Sequence, residues 1–402
     1  MRIATSMIHA NAANSMLQVE AQLEQTQNQI SSGVKVSLPS DDPVAAVRIA
    51  GLQQQQQAND QYGKNITAAT NRLDLDQQGL SDATTLIQHI RDLVVQASNT
   101  GTLSASDRQS IATEIQSSMQ SLQDIANRKD GNGDYLYSGL ATQTQPFVTD
   151  GSGNVQYQGD QGTRMIQVGA SQRVVDGHSG YDMFVGITQG NGTFYTAANS
   201  SNTGTGVIDV GSVTNASAWV PDNYTITFTS ATTYQVTDSA TPTPNVVATG
   251  NYTAGSGIAF NGVQVAISGT PANGDSFSVN KAGTQDIFST LNSVLGALSH
   301  TDSSGATNAK ISTTLGNALQ QIDQTIDHWS VLSAQVGARL NTLDTVESAR
   351  QNESSSITQS LSDLRDVDYA TALTKYNQQQ VVLQAAQQSY AKIAQLSLFN
   401  YL

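Results

Sequence analysis

The sequence predicts an α+β chain: an elongated rod of N- and C-terminal helices, coiled-coil or bundled, interrupted by a central and mostly antiparallel β region. Three observations carry this. An apolar column recurs every seven residues at Ile66, Leu73, Leu80, Ile87 and Val94, the mark of helices that pack along their length. It returns far downstream at Leu315, Ile322, Trp329, Val336, Leu343, Ile357 and Leu364, then at Tyr369, Tyr376, Leu383 and Tyr390. Between them the composition changes: 23 of the 32 glycines lie from Gly131 to Gly283, and no proline falls between Pro43 and Pro146 or after Pro271. Helix interiors exclude both residues, so the ends are helical and the middle is not.

The first helix is expected from about Ala4 to Ser32, with Met16, Leu23 and Ile30 seven apart and Gly33 as a left-handed cap. Asp42 and Pro43 suit the start of the second, which runs to about Ser98. Gly101 breaks it, and Ser104 with Asp107 forms a capping-box pattern for the third. From Tyr135 the period falls to two, as in Tyr224–Thr229 and Gly262–Ile267, with turns at Asn132-Gly133, Asp150-Gly151, Asn261-Gly262 and Asn273-Gly274. The stretch from Asn191 to Asn215 has few large apolar residues and reads as loop. Helices resume near Thr284, with Ile287, Leu291, Val294 and Leu298 on one face; long ones follow from about Asn308 to Asp363 and Val367 to Leu398.

Four regions follow. Residues 1–42 and 365–402 are terminal polymerisation helices, expected to be disordered in the free subunit. Residues 43–134 and 284–364 form a helical rod. Residues 135–187 are a β segment associated with the rod, and 188–283 an outer β domain.

Only 12% of residues are charged and the net charge is −14, with no basic cluster, which argues against nucleic acid. There is no cysteine, hence no disulfide, thiolate ligand or thiol nucleophile. No stretch is apolar enough to insert in a membrane, and the N-terminus does not read as a cleaved signal peptide.

Little in the chain suggests catalysis, a cofactor or a metal. His9, His89, His178, His300 and His328 lack the spacing of a shared metal site. Asp41-Asp42 is better explained as a helix start than as a carboxylate pair. Gly151-Ser-Gly153 and Gly255-Ser-Gly257 lack the third glycine of a dinucleotide site and read as turns. Phosphate-binding-loop and nucleophile-elbow motifs are absent.

The columns divide by job. Ile66, Leu73, Leu80, Ile87 and Val94 with Leu315, Ile322, Trp329, Val336 and Leu343 are expected as the rod's own core. The terminal seams are narrow, and Gln380 and Gln387 interrupt them. Such helices alone are marginal and are expected to order against neighbouring subunits. The assembly residues are then Ile3, Met16, Leu17, Leu23 and Ile30, with Leu373, Tyr376, Leu383, Tyr390, Ile393, Leu396, Leu398 and Phe399.

Local sequences also carry a resemblance. Gly33-Val-Lys-Val-Ser-Leu-Pro-Ser-Asp-Asp-Pro-Val-Ala-Ala46 and Ser104-Ala-Ser-Asp-Arg108 resemble the helix starts of the flagellin superfamily. The ending Leu396-Ser-Leu-Phe-Asn-Tyr-Leu402, with Tyr135-Leu-Tyr-Ser-Gly139 and Gln285-Asp-Ile-Phe-Ser-Thr-Leu291, is similar to the hook-associated protein 3 family, the hook–filament junction proteins. That resemblance implies a bacterial flagellar structural adaptor, extracellular and exported by the type III route. Its implied partners are hook-associated protein 1, flagellin, a ring of copies of itself, and a cytoplasmic export chaperone on the C-terminal helix. Flagellin itself is the neighbouring reading. A third is a secreted enzymatic or carbohydrate-binding β domain on a helical stalk, with Trp219, Tyr224, Phe228, Tyr234 and Tyr252 as a sugar platform.

Overall fold

In a computed structural model, which describes residues 2–99 and 103–395, the chain divides into two compact units. One comprises the chain up to Asn65 and from Thr345 onward, the other Ile66–Asp344. The division falls inside two long helices, α2 (Pro43–Ala97) and α5 (Gly305–Arg365), whereas the sequence-based boundaries fall at turns. The remaining helices are α1 (Arg2–Ser32), α3 (Ala105–Ala126), α4 (Ile287–Leu298) and α6 (Tyr369–Gln395). The expected break at Gly101 lies outside the described residues.

In the first unit, α1 packs on α6. Gly33 ends α1 at φ +71°, a conformation that side chains with a Cβ resist. The strand-like turn that follows meets the break between α5 and α6: Val34 bridges Asp366, the Lys35 amide donates to the Arg365 carbonyl at 2.6 Å, and the Val367 amide donates to the Gly33 carbonyl at 3.0 Å. Asp41 accepts from the amides of Ser37 and Leu38, and Asp42 from those of Val44 and Ala45. Local capping thus accounts for the acidic pair. A small core of Ile49, Ile357 and Leu361, backed by Val36, Leu52 and Leu364, joins the beginning of α2 to the end of α5.

Both seven-residue columns turn polar within this unit. Asn59 takes the α2 position between Leu52 and Ile66, and Arg350 the α5 position between Leu343 and Ile357. Buried Asn59 donates to the Arg350 carbonyl at 3.1 Å, while the Arg350 guanidinium makes two 2.7 Å bonds to Glu347. A buried amide in such a column fixes register at some expense of stability.

In the second unit every one of Ile66, Leu73, Leu80, Ile87, Val94, Leu315, Ile322, Trp329, Val336 and Leu343 is buried. Ser104 and Asp107 form a complete capping box at the start of α3. Short hairpins follow: β1 (Phe147–Thr149) with β2 (Val155–Tyr157), and β3 (Met165–Gln167) with β4 (Arg173–Val175). A single π turn, Tyr181–Val185, leads to β5 (Ile187–Thr188). Aromatic rings lock these loops to the helices. Phe184 lies 5.6 Å from Tyr137, 5.2 Å from Phe147, 5.9 Å from Phe288 and 5.9 Å from Trp329, centroid to centroid. The Trp329 indole donates to the Met183 carbonyl, which satisfies its one polar atom.

Charged groups clamp the same loops. Buried Arg72 pairs with Asp130 at 2.9 Å and donates to the carbonyls of Tyr135 and Leu136. His178 Nδ1 lies 2.7 Å from Asp76, and its Nε2 lies 3.2 Å from the Arg339 guanidinium. An arginine can only donate, so the Nε2 that faces it accepts. Burial pushes the nearby Tyr137 phenol well above its ordinary pKa, with the Asp76 charge adding to the shift.

The outer β region is a two-sheet sandwich. Five strands run in the order β11 (Val246–Asn251), β10 (Thr233–Thr237), β9 (Tyr224–Ser230), β14 (Ser276–Lys281), β6 (Phe194–Ala198). The facing sheet holds β12 (Gly257–Phe260), β13 (Val263–Ser268) and β7 (Val207–Ile208), with β8 (Ser212–Val213) also pairing β13. A separate short strand, β15 (Thr284–Gln285), pairs β5. Every second residue faces inward: Tyr224, Ile226 and Phe228 from one sheet meet Val263, Val265 and Ile267 from the other. Asn261 and Gly262 both have positive φ, 42° and 79°, as the two-residue hairpin between β12 and β13 requires.

The expected loop from Asn191 to Asn215 instead contributes β6, β7 and β8. It needs little apolar bulk because Phe194 and Ile208 alone enter the core fully, while β6 pairs along its whole length with β14. The five candidate sugar-platform aromatics are core residues. Tyr224 and Phe228 are buried, Trp219, Tyr234 and Tyr252 pack against them, and the Tyr252 hydroxyl donates to backbone carbonyls.

Candidate assembly interface

The α1–α6 pair is where the sequence places most of its assembly residues. On α6 the seam advances in steps of four and three: Ala372, Tyr376, Gln379, Leu383, Ala386 and Tyr390 are buried or half-buried. On α1 it runs Met16, Val19, Leu23, Thr26 and Ile30 in steps of three and four. These are coiled-coil spacings, and the His9 ring meets Tyr390 edge-on at 5.6 Å.

The predicted residues therefore fall on two surfaces. Met16, Leu23, Ile30, Tyr376, Leu383 and Tyr390 line the seam within the chain. Leu17 and Leu373 face solvent, 62% and 53% exposed, in the company of Met7, Val381 and Val382. The side chains of Ile3 and Ile393, and Leu396, Leu398 and Phe399 altogether, lie outside the described residues. Sequence reasoning missed the second seam column, Val19 and Thr26 with Ala372, Gln379 and Ala386. A search for four-three spacing that admits alanine and glutamine finds it.

The seam is a weak structure by itself. Its knobs include small and polar side chains, the Thr26 hydroxyl bonds back to the Gln22 carbonyl, and the buried Gln379 carbonyl oxygen has no partner among the described residues. Packing two helices also covers only one stripe of each, so exposed Leu17, Leu373, Val381 and Val382 still offer apolar area. At the base of α6 the first helical turn is capped by Asp368, which accepts from the Ala370 amide and the Thr371 hydroxyl. Those bonds, the Thr371 hydroxyl above all, hold its carboxyl below the usual pKa. Asp366 is lowered likewise by its bond to Arg365. The turn thus stays anionic at any ordinary pH.

No helix of the described residues is long and apolar enough to cross a membrane, and no cluster of metal-ligating side chains occurs among them. What the pair can do is pack against further helices.

Comparison with known proteins agrees with that reading. Residues 3–142 match the bacterial flagellin N-terminal helical region, 319–402 the flagellin C-terminal helical region, and 197–281 the D2-like domain of flagellar hook-associated protein 1. A solved structure of flagellar hook-associated protein 3 from Legionella pneumophila is 35% identical, with a TM-score of 0.73, covering 79% of this chain and 98% of that one. The chain belongs to the hook-associated protein 3 family. Flagellar hook-associated protein 3 of Escherichia coli (strain K12) aligns over 100% of this chain and 99% of its own length at 29% identity. By contrast, the flagellin of Bacillus subtilis (strain 168) aligns over 35% of this chain, at 28% identity. The Escherichia coli relative thus aligns over the sandwich as well as the helices, whereas the flagellin aligns over about a third of the chain.

Proposed function

We propose that this protein is a structural adaptor at the bacterial flagellar hook–filament junction, without catalytic activity. It couples hook-associated protein 1 to flagellin by packing its terminal helices into the helical array of each neighbour. The observation that carries the reading is the half-finished α1–α6 pair, whose inner stripe is covered within the chain while Leu17, Leu373 and Val381 remain exposed. The full-length alignment with a junction protein supports the same role. Copies of the chain would form a ring outside the cell, and Ile3, Met16, Leu17, Leu23, Ile30, Leu373, Tyr376, Leu383, Tyr390, Ile393, Leu396, Leu398 and Phe399 would carry the contacts. Before export, the C-terminal helix would be held by a cytoplasmic chaperone. Residues 1–42 with 365–402 would order fully only on assembly, against a rod of 43–134 with 284–364, a β segment of 135–187 and an outer domain of 188–283.

Two experiments test this. Expression in a bacterium lacking its own hook-associated protein 3 is expected to restore filaments, seen by electron microscopy. Purified chain is expected not to grow long filaments alone. Self-polymerisation into filaments without flagellin would assign it to the bulk subunit instead.

A further inference from the structure

A cavity of about 420 Å³ opens between the edge strand β6 and helices α4 and α5, all within the second unit. Two of its amide side chains hold β6 and the preceding loop to α5. Asn317 donates to the Thr196 carbonyl at 2.6 Å, while the Gln321 oxygen accepts from the Gly190 amide at 3.2 Å. Other groups on its wall are left over. Thr313 is 3% exposed, and its buried hydroxyl has no hydrogen-bond partner among the described residues. Neither the Tyr195 hydroxyl nor the Gln320 amide is bonded among the described residues. Lys310 makes one bond, to the Ser200 carbonyl at 2.6 Å, which leaves two of its three donors.

The charge on this wall runs against the rest of the molecule. The chain has 32 acidic residues and a net charge of −14, yet no Asp or Glu lines the cavity, while Lys310 and His300 do. No acid pairs with Lys310 among the described residues. A cation without a counter-ion, beside unspent hydroxyl and amide groups, fits a carboxylate that carries hydroxyls.

We propose that this cavity binds a small carboxylated, polyhydroxylated molecule of the sugar-acid class. Lys310 meets the carboxylate, and Gln320 and Tyr195 meet hydroxyls. The volume is within the range of small-ligand sites. This site is distinct from the aromatic sandwich core, and independent of the assembly role of α1 and α6.

The test is calorimetric titration of the full chain with glucuronate and with N-acetylneuraminate, beside glucose as the neutral control. At least one acid is expected to bind, about tenfold or more tighter than glucose. Lys310→Met is expected to weaken that acid about tenfold, and Gln320→Ala by a few-fold, with thermal melting showing that both variants fold. Since Gln320 is half-exposed on α5, its variant reads the site even if the lysine change disturbs the fold. The proposal is overturned if neither acid binds, if glucose binds as well as the acids, or if both variants bind like the parent. An unliganded, water-filled cavity would give the first of these results.

Discussion

The α1–α6 seam and the α2–α5 column from Ile66 to Leu343 use the same seven-residue period and reach opposite outcomes. In the column every predicted apolar position is buried, and Trp329 adds an aromatic cluster with Phe184. In the seam Leu23, Leu383 and Tyr390 are only half-buried, and the alternate positions are Ala372, Gln379 and Ala386. Periodicity says which face packs, and residue volume and number of neighbours say how firmly. The column meets α3 through His89 and Glu114 and the loops through Arg128 and His178, while the seam has two helices and nothing described beyond them. A two-helix pair cannot enclose its apolar surface.

This contrast can be broken at its strong end. Trp329→Ala empties a buried site and orphans the Met183 carbonyl, so the second unit should lose about 3–5 kcal/mol. Urea unfolding followed by near-ultraviolet circular dichroism measures it. A loss below about 1 kcal/mol would mean that the column is not the main core.

At the weak end, Leu383→Asp places a carboxylate in the seam and should cost roughly 3 kcal/mol locally. Hydrogen exchange should speed up in α1 and α6 while residues 66–344 keep their protection, and motility should fail. Uniform loss of protection would show that seam and body fold together.

Leu17→Glu combined with Leu373→Glu alters exposed side chains, so stability should change by less than about 0.5 kcal/mol. Filament restoration should nevertheless be lost. Normal filaments with this pair would rule out the outer stripe as a contact surface.

The smallest effect concerns the polar interruption. Arg350 holds the Glu347 carboxyl below its ordinary pKa. A group lowered in the folded state stabilises above its unfolded pKa, and that contribution disappears as pH falls through the folded value. Glu347→Gln should therefore cost a few tenths of a kcal/mol at neutral pH and nothing once the carboxyl is protonated. Thermal melts at pH values on both sides of the carboxylate range should converge at the acid end.

How legible the fold was depends on residue size and sequence distance. Large residues at fixed spacing, as from Ile66 to Val94, announce themselves because only a helix brings them to one side. Gly33, Asp42 and Ser104 were legible because capping is local, using atoms a few positions away. The second seam column was not, since alanine, threonine and glutamine look the same on buried and solvated helix faces. The strands β6 to β8 were missed for a related reason: pairing with β14 and β13 supplies their order, and those partners lie far along the chain. The Asp76–His178–Arg339 cluster and the cavity beside Lys310 join residues from distant segments, and no local pattern marks either.

By itself, the sequence determined that both ends are helical, that the middle is β, and where most helices begin and stop. These outcomes follow from backbone preferences and periodicity, which act over a few residues. Only the tertiary structure decided that Asn59 meets Arg350, that the aromatics of the sandwich are core, and which apolar residues of α1 and α6 are covered. Burial depends on what arrives from elsewhere in the chain. For Leu17 and Leu373 nothing among the described residues arrives, and that is why they remain available to a neighbour.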